Sequence, residues 1–229
     1  LTFLRKKQFK IVRIGIVGTG RIAPRFISES KYVSGLTIEC AYNPVEESAK
    51  RFEKREKIKC YTGDYEEFLE NVDAVYIASP NETHFEYAKK AIEAGKHVLS
   101  EKPLSFTKKE SEVLYTSAKE KGVVLMEAVK AAYCPGFQQL INVAKSGKIG
   151  DIVDVEASFT RLADPLSRER TDAEYGGAFL EFGPSVLVPV IKLMGKDYTS
   201  VTFDSIYDGN GVDLYTKADI RYDNGFATV

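Results

Sequence analysis

The sequence predicts an α/β protein: a doubly wound parallel sheet of Rossmann type, then a smaller α+β domain with an open, mainly antiparallel sheet. Three observations carry this expectation. An apolar run, 11–17, breaks at Gly18-Thr19-Gly20 and resumes as a helix pattern, the strand–turn–helix opening of such a fold. From there to about residue 128, short apolar runs alternate with amphipathic segments, which implies a parallel sheet covered on both faces by right-handed crossovers. Beyond residue 130 the apolar period falls to two, the mark of strands with one wet face.

The first turn is the most informative element. Gly18 permits a tight turn, Gly20 lets the backbone approach a bound group, and Ala23 is the small position where helix packs on strand. Pro24 falls in the first helical turn, where a missing N–H does little harm. Gly18, Thr19, Gly20, Arg21 and Ile22 thus form a candidate pyrophosphate cradle at a helix N-terminus. The G-x-G-x-x-A spacing alone also fits a plain glycine turn; between a strand and a helix it points to a dinucleotide, NAD or NADP.

The remaining elements follow in order. Leu36–Tyr42 is the second strand, ending at Asn43-Pro44. Asp or Glu usually stands near this point to bind the ribose 2′-OH. Asn43 can bond a hydroxyl without repelling a 2′-phosphate, and it can equally be a turn residue before proline, so NAD and NADP both stay open. Glu46–Glu56 reads as a charged surface helix, and Asp64 with Glu67 as the start of another. Residues 73–78 are a buried strand ending at Ser79-Pro80-Asn81, on the carboxyl edge where ligands of such sheets bind. Thr83 and Glu86 predict a capping box for a helix over 85–94, closed by Gly95. A short strand, 97–99, leads into Glu101-Lys102-Pro103. Thr107 and Glu110 cap a helix that Gly122 ends, and 123–126 is a further strand. Then come a helix over 135–146, an alternating strand over 153–159, a polar loop over 163–175 and an apolar helix over 177–194. Strands over 198–206 and 212–222 follow, with Asp223-Asn224-Gly225 as a hairpin turn into 226–229.

Composition closes off several classes. The 229-residue chain has a net charge of -1, which gives no nucleic-acid footprint, and its 44% hydrophobic content suits a globular core. Cys40, Cys60 and Cys134 lack C-x-x-C spacing, and His84 and His97 are too few for a zinc cluster. Reduced thiols in the cytoplasm are expected. Residues 1–10 are a short basic start without a signal-peptide core, and no run is long enough to span a membrane.

Four stretches together are specific: the glycine turn at 18–23; Ser79-Pro80-Asn81 with His84; 95–103, which ends in Glu101-Lys102-Pro103; and 176–183, Gly-Gly-Ala-Phe-Leu-Glu-Phe-Gly. On these the sequence resembles the glucose–fructose oxidoreductase / inositol dehydrogenase (Gfo/Idh/MocA) family over nearly all of 11–229. Met126-Glu127-Ala128 is similar to the branch containing dihydrodiol and xylose dehydrogenases. The resemblance implies an extension at 1–10, a dinucleotide-binding domain at 11–128 and a substrate and oligomerisation domain at 129–229. It implies oxidation of a secondary alcohol on a sugar, cyclitol or diol, a side chain taking the hydroxyl proton as hydride passes to nicotinamide C4. Lys102 is the implied catalytic residue, since desolvation beside a cationic nicotinamide suits an amine to acid–base work; on spacing alone it is a solvated lysine or a partner for Glu101. Ser79, Pro80, Asn81, His84 and Glu101 join the candidate cofactor site. His84 reads equally as a packed or capping histidine, Asn81 as a turn residue, and His97 as structural.

The sequence departs from the family pattern twice. Many members carry His or Tyr two residues after the glycine matching Gly183; here stands Ser185, a second catalytic candidate acting beside Lys102, although a serine is a poor base without a partner. The commonly acidic position one turn on is Val188. The domain also ends at Val229, soon after the hairpin, which suits a truncated gene, a shortened form or a naturally reduced protein. These departures support a second reading, a nucleotide-binding sensor or partner subunit with little or no turnover. The alternating strands are expected to leave an uncovered apolar sheet face, and hence a homodimer or higher homo-oligomer.

Overall fold

The computed structural model describes residues 11–229; the extension expected at 1–10 lies outside them. The chain divides into two compact units between Ala128 and Val129. In the first, β1 (Val12–Val17), β2 (Leu36–Tyr42), β3 (Cys60–Thr62), β4 (Ala74–Ile77), β5 (His97–Ser100) and β6 (Leu125–Glu127) form one parallel sheet in the order 3-2-1-4-5-6. The strand order reverses between β1 and β4, and the crevice beyond their carboxyl ends is where sheets of this kind bind ligands.

Helices α1 (Ala23–Ser30), α2 (Glu46–Glu56), α3 (Tyr65–Glu70), α4 (His84–Glu93) and α5 (Lys108–Lys121) connect these strands. The β4 residues alternate between two cores. Val75 and Ile77 pack with Phe68, Ile92 and Leu114, whereas Tyr76 packs with Ile16, Ile27 and Phe52. At Gly15 the sheet and α3 meet so closely that a Cβ would run into Phe68 and Val72.

The end signals of the helices fared unequally. Thr107 and Glu110 form the full capping box of α5. Asp64 caps α3 through the Glu66 and Glu67 amides at 2.8 and 3.1 Å, but the Glu67 carboxylate turns to the Thr62 hydroxyl. The box expected at Thr83 and Glu86 does not form. Thr83 has helical backbone (φ -100, ψ -10) because a 3-10 turn, Asn81–Thr83, runs straight into α4, and a capping side chain needs an extended backbone. Its hydroxyl bonds the Pro80 carbonyl at 2.7 Å instead. The short strand β3 carries no periodic signal over its three residues, and β6 starts two residues later than expected.

In the second unit, β7 (Asp154–Glu156), β8 (Ser200–Tyr207), β9 (Asp213–Tyr222) and β10 (Gly225–Thr228) form a sheet in the order 7-10-9-8. Only the β7–β10 pair is parallel. The hairpin pairs Tyr222 with Gly225, as Asp223-Asn224-Gly225 predicts. The expected strand over 153–159 is shorter because Val155 alone among its alternating residues reaches the core, while Phe159 stacks on Phe182 at 4.7 Å. The expected loop over 163–175 contains a helical turn, α7 (Arg168–Thr171). Helix α6 (Pro135–Lys145) precedes the sheet, and α8 (Ala178–Met194) lies on it, with Val190 buried among Val155, Ile220, Tyr222 and Ala227.

The register of Ile220 with Val201 and Ala227 places these residues on the α8 face. The opposite face was expected to be apolar, and here the structure corrects the sequence. Its positions are Lys217, Asp219, Arg221 and Thr228: Lys217 reaches Asp219 at 3.0 Å, Thr228 donates to Asp219 at 2.8 Å, and the Arg221 guanidinium lies over Phe226. Ile206, Tyr215 and Phe226 are exposed apolar residues on this face. Among the described residues, no helix is long and apolar enough to cross a membrane.

Candidate active site

The carboxyl edge of the first sheet gathers most of the residues that the sequence singles out. The turn after β1 leaves the strand at Gly18, whose N–H donates to Tyr42 O at 2.9 Å. Gly18 has φ +90, and a Cβ there would lie 2.7 Å from Ala78 O, so this position needs glycine both for conformation and for space. At Gly20 a Cβ would meet nothing within 4 Å. Helix α1 begins behind it with no side-chain cap and no acidic residue in its first turn. Helix-start N–H groups without a capping side chain, next to a glycine that leaves space open, suit the pyrophosphate of a dinucleotide.

Asn43 is tied to this turn. Its Nδ2 donates to Thr19 Oγ1 at 2.9 Å, and its Oδ1 accepts from Val45 N at 2.9 Å. The side chain therefore works as a turn residue and as a brace between β2 and the glycine turn. It adds no negative charge there, so a 2′-phosphate meets no repulsion from this residue.

The loop after β4 carries Ser79, Pro80 and Asn81. The Ser79 hydroxyl donates to Thr83 Oγ1 at 2.7 Å, since the Thr83 proton goes to Pro80 O. His84 follows, only 1% exposed, with Nδ1 2.7 Å from Pro103 O and Nε2 2.9 Å from Ser79 O. Both ring nitrogens face backbone carbonyls, which is the packed arrangement that the sequence offered beside the cofactor-site reading.

Glu101, Lys102 and Pro103 leave β5. The Glu101 N–H donates to Ile77 O at 2.8 Å, and its carboxylate accepts the Tyr76 hydroxyl at 2.5 Å. Burial, then the Glu101 carboxylate, pushes the Tyr76 phenol far above its ordinary value, so it stays a hydrogen-bond donor. The Tyr76 ring stacks on Phe26 of α1 at 3.8 Å, which connects the helix behind the glycine turn to the Lys102 loop. Lys102 is half-buried, its peptide bond to Pro103 is cis, and Leu104 N donates to Glu127 Oε1 at 2.8 Å. Tyr76 and Glu127 were not singled out as functional from sequence. The available signal for Tyr76 was a phenol inside a buried apolar strand, which needs a polar partner.

Ser185 belongs to the second unit, half-buried in α8 between Pro184 and Pro189. That helix starts at Gly177, φ +97, where a Cβ would collide with the Asp213 carboxylate. Asp213 accepts the Phe179 N–H at 2.8 Å and the Thr216 hydroxyl at 2.9 Å, and so caps α8 from the start of β9.

Residues 12–129 match a family described as the oxidoreductase family with NAD-binding Rossmann fold, and residues 137–229 match the GFO/IDH/MocA C-terminal domain. The chain belongs to the Gfo/Idh/MocA oxidoreductase family. Its first unit is the NAD-binding Rossmann domain of that family. Among Gfo/Idh/MocA relatives, a scyllo-inositol 2-dehydrogenase (NADP(+)) of Bacillus subtilis (strain 168) is 30% identical, over 96% of this chain and 69% of its own length. A dTDP-3,4-didehydro-2,6-dideoxy-alpha-D-glucose 3-reductase of Actinomadura kijaniata is 34% identical over 81% of this chain and 57% of its own. The crystal structure of KijD10, a 3-ketoreductase from Actinomadura kijaniata in complex with NADP and TDP-benzene, superposes with a TM-score of 0.83 at 29% identity, over 95% of this chain and 68% of that one. The chain thus spans between a little over half and about two thirds of the length of these relatives.

Proposed function

We propose that this chain is an NAD(P)-dependent oxidoreductase, transferring a hydride between the nicotinamide and a secondary alcohol or carbonyl of a sugar, cyclitol or diol. One observation carries the reading: Lys102 sits on a loop held by Tyr76, His84 and Glu127, at the same sheet edge as the open glycine turn. The bound nicotinamide would supply the hydride acceptor or donor. The Gly18–Ile22 backbone would hold the pyrophosphate, Asn43 and Thr19 would shape the ribose side, and Ser79, Pro80 and Asn81 would border the nicotinamide half. Lys102 Nζ would take the hydroxyl proton in oxidation and return it in reduction. The relatives named for scyllo-inositol and for a dTDP-linked keto-sugar support a substrate that carries a secondary alcohol or its carbonyl on a six-membered ring.

Ser185, with Val188 one turn further, favours a second reading, a nucleotide-binding subunit with little turnover, because neither side chain is a competent base. Fluorescence titration with NADH and NADPH, followed by a turnover screen on scyllo-inositol, dTDP-linked sugars and cyclic trans-diols, separates the two. Binding with turnover supports the enzyme, binding without turnover supports the subunit, and no binding overturns both. We place the protein in the cytoplasm, and we take the outer face of the second sheet, where Ile206, Tyr215 and Phe226 stand exposed beside the paired Lys217 and Asp219, as the surface through which two copies would pair.

A further inference from the structure

We propose that His84 is a positioning residue that ties the Lys102 loop to the loop after β4, so that Lys102 and Ser79-Pro80-Asn81 move as one body. The proposal rests on the reading of Lys102 as the proton-transfer group. The two carbonyls that face the His84 ring come from different loops, Ser79 beyond β4 and Pro103 beyond β5, at 2.9 and 2.7 Å. Pro103 directly follows Lys102, so restraining its carbonyl restrains the root of the lysine side chain. The ring is 1% exposed, which leaves no bulk water to replace it at either carbonyl, and a buried carbonyl left without a donor is costly.

The choice of histidine has a chemical reason. A rigid planar ring puts nitrogen atoms on two sides and spans two loops without rotamer freedom. A neutral tautomer donates to one carbonyl alone, so the tie between the two loops takes a ring with a proton on each nitrogen, one donated to Pro103 O and one to Ser79 O. Asparagine carries its amide nitrogen near the place of Nδ1, and glutamine carries its own near the place of Nε2, so each retains one tether and drops the other. The other anchors of the Lys102 loop, the Tyr76 hydroxyl on Glu101 and the Glu127 carboxylate on Leu104 N–H, run to β4 and β6. The His84 bond couples the loop to its neighbour at the β4 end. Proton transfer tolerates little displacement, and a shift of about 1 Å costs on the order of 10²-fold in rate.

The test compares His84→Asn with His84→Gln in the full chain by amide hydrogen exchange, which needs no substrate. In His84→Asn, amides around Ser79–Thr83 should exchange about tenfold faster while those of Glu101 and Leu104 keep their protection; His84→Gln should show the reverse. The two variants accelerating the same amides equally, or neither changing any, overturns the proposal. A measurement on the unsubstituted chain covers the case in which both variants fail to fold. With only two histidines to assign, proton–nitrogen NMR should show a slowly exchanging ring N–H on His84, and its absence overturns the proposal as well. Lys102→Ala separates the proposal from the reading it rests on. If that variant turns over normally, Lys102 is not the proton-transfer group, whatever the exchange data say. If it is inactive, His84→Gln should lower kcat at least tenfold with the KM for cofactor unchanged, and His84→Asn should lower it less; equal kcat in both variants counts against the positioning role.

Discussion

Two glycines two positions apart, Gly18 and Gly20, should fail in opposite ways when given a side chain. At Gly18 the backbone has φ +90, and an added Cβ would lie 2.7 Å from Ala78 O and 2.8 Å from Ser79 Cα. Neither obstacle is a flexible side chain, so β1 and β4 must shift. Forcing a non-glycine residue into this conformation costs about 1–3 kcal/mol, and the backbone clash adds on the order of 1 kcal/mol more. Gly18→Ala should therefore destabilise the first unit by about 2–4 kcal/mol, a fall in Tm of roughly 4–16 °C for a chain of this size. At Gly20 the added Cβ meets nothing within 4 Å. Gly20→Ala should leave Tm unchanged or raise it slightly, through the lower entropy of the unfolded chain, and Gly20→Val should fold as well. Both side chains would occupy the space assigned to the pyrophosphate, so affinity for NADH and NADPH should fall at least tenfold. Circular-dichroism melts and fluorescence titrations on the same samples check both halves. A Gly20→Val protein that melts as early as Gly18→Ala, or binds cofactor as tightly as the unsubstituted chain, would refute the geometry assigned to the turn.

Three further outcomes are expected. Lys102→Ala should lower turnover of any substrate found by about 10²–10⁴-fold while leaving cofactor affinity near normal; near-normal turnover would move the proton transfer to another group. Asp213→Ala removes the acceptor for the Phe179 N–H and the Thr216 hydroxyl, and should destabilise the second unit by about 1–3 kcal/mol; calorimetry showing an unchanged transition would mean that α8 is held without its cap. Sedimentation at tens of micromolar should give a homodimer, and Arg221→Glu together with Lys217→Glu on the outer sheet face should shift it toward monomer; a clean monomer before substitution would remove that face as an interface.

Much of the candidate site was legible in the sequence because its signals are local. Gly18, Gly20 and Ala23 announce a strand–turn–helix, and Glu101-Lys102-Pro103 follows a short apolar strand. The box at Thr107 and Glu110 needs only its own four residues, and it formed. Thr83 and Glu86 have the same spacing and failed, since the backbone enters α4 from a 3-10 turn and Thr83 never reaches the extended conformation that a cap requires. The outer face of the second sheet was misjudged for a related reason. Alternation marks two faces, and the charges at Lys217, Asp219 and Arg221 became visible as one polar row once the register of β8, β9 and β10 aligned them with Asp204 and Thr228.

The sequence by itself determined the order of most strands and helices and the place of the glycine turn, which follow from periodicity and turn chemistry acting over a few residues; β3 and α7 were too short to leave such a signal. The family and the choice of Lys102 came from the resemblance carried by four separate stretches, not from spacing. Only the tertiary structure decided what holds Lys102: Tyr76 on Glu101, His84 on Pro103 and Ser79, and Glu127 on Leu104. Those partners lie 5 to 25 residues apart along the chain. They meet because β4, β5 and β6 stand side by side in a parallel sheet, so that the chain ends of successive crossovers converge on one edge, and spacing along the sequence carries no trace of that convergence.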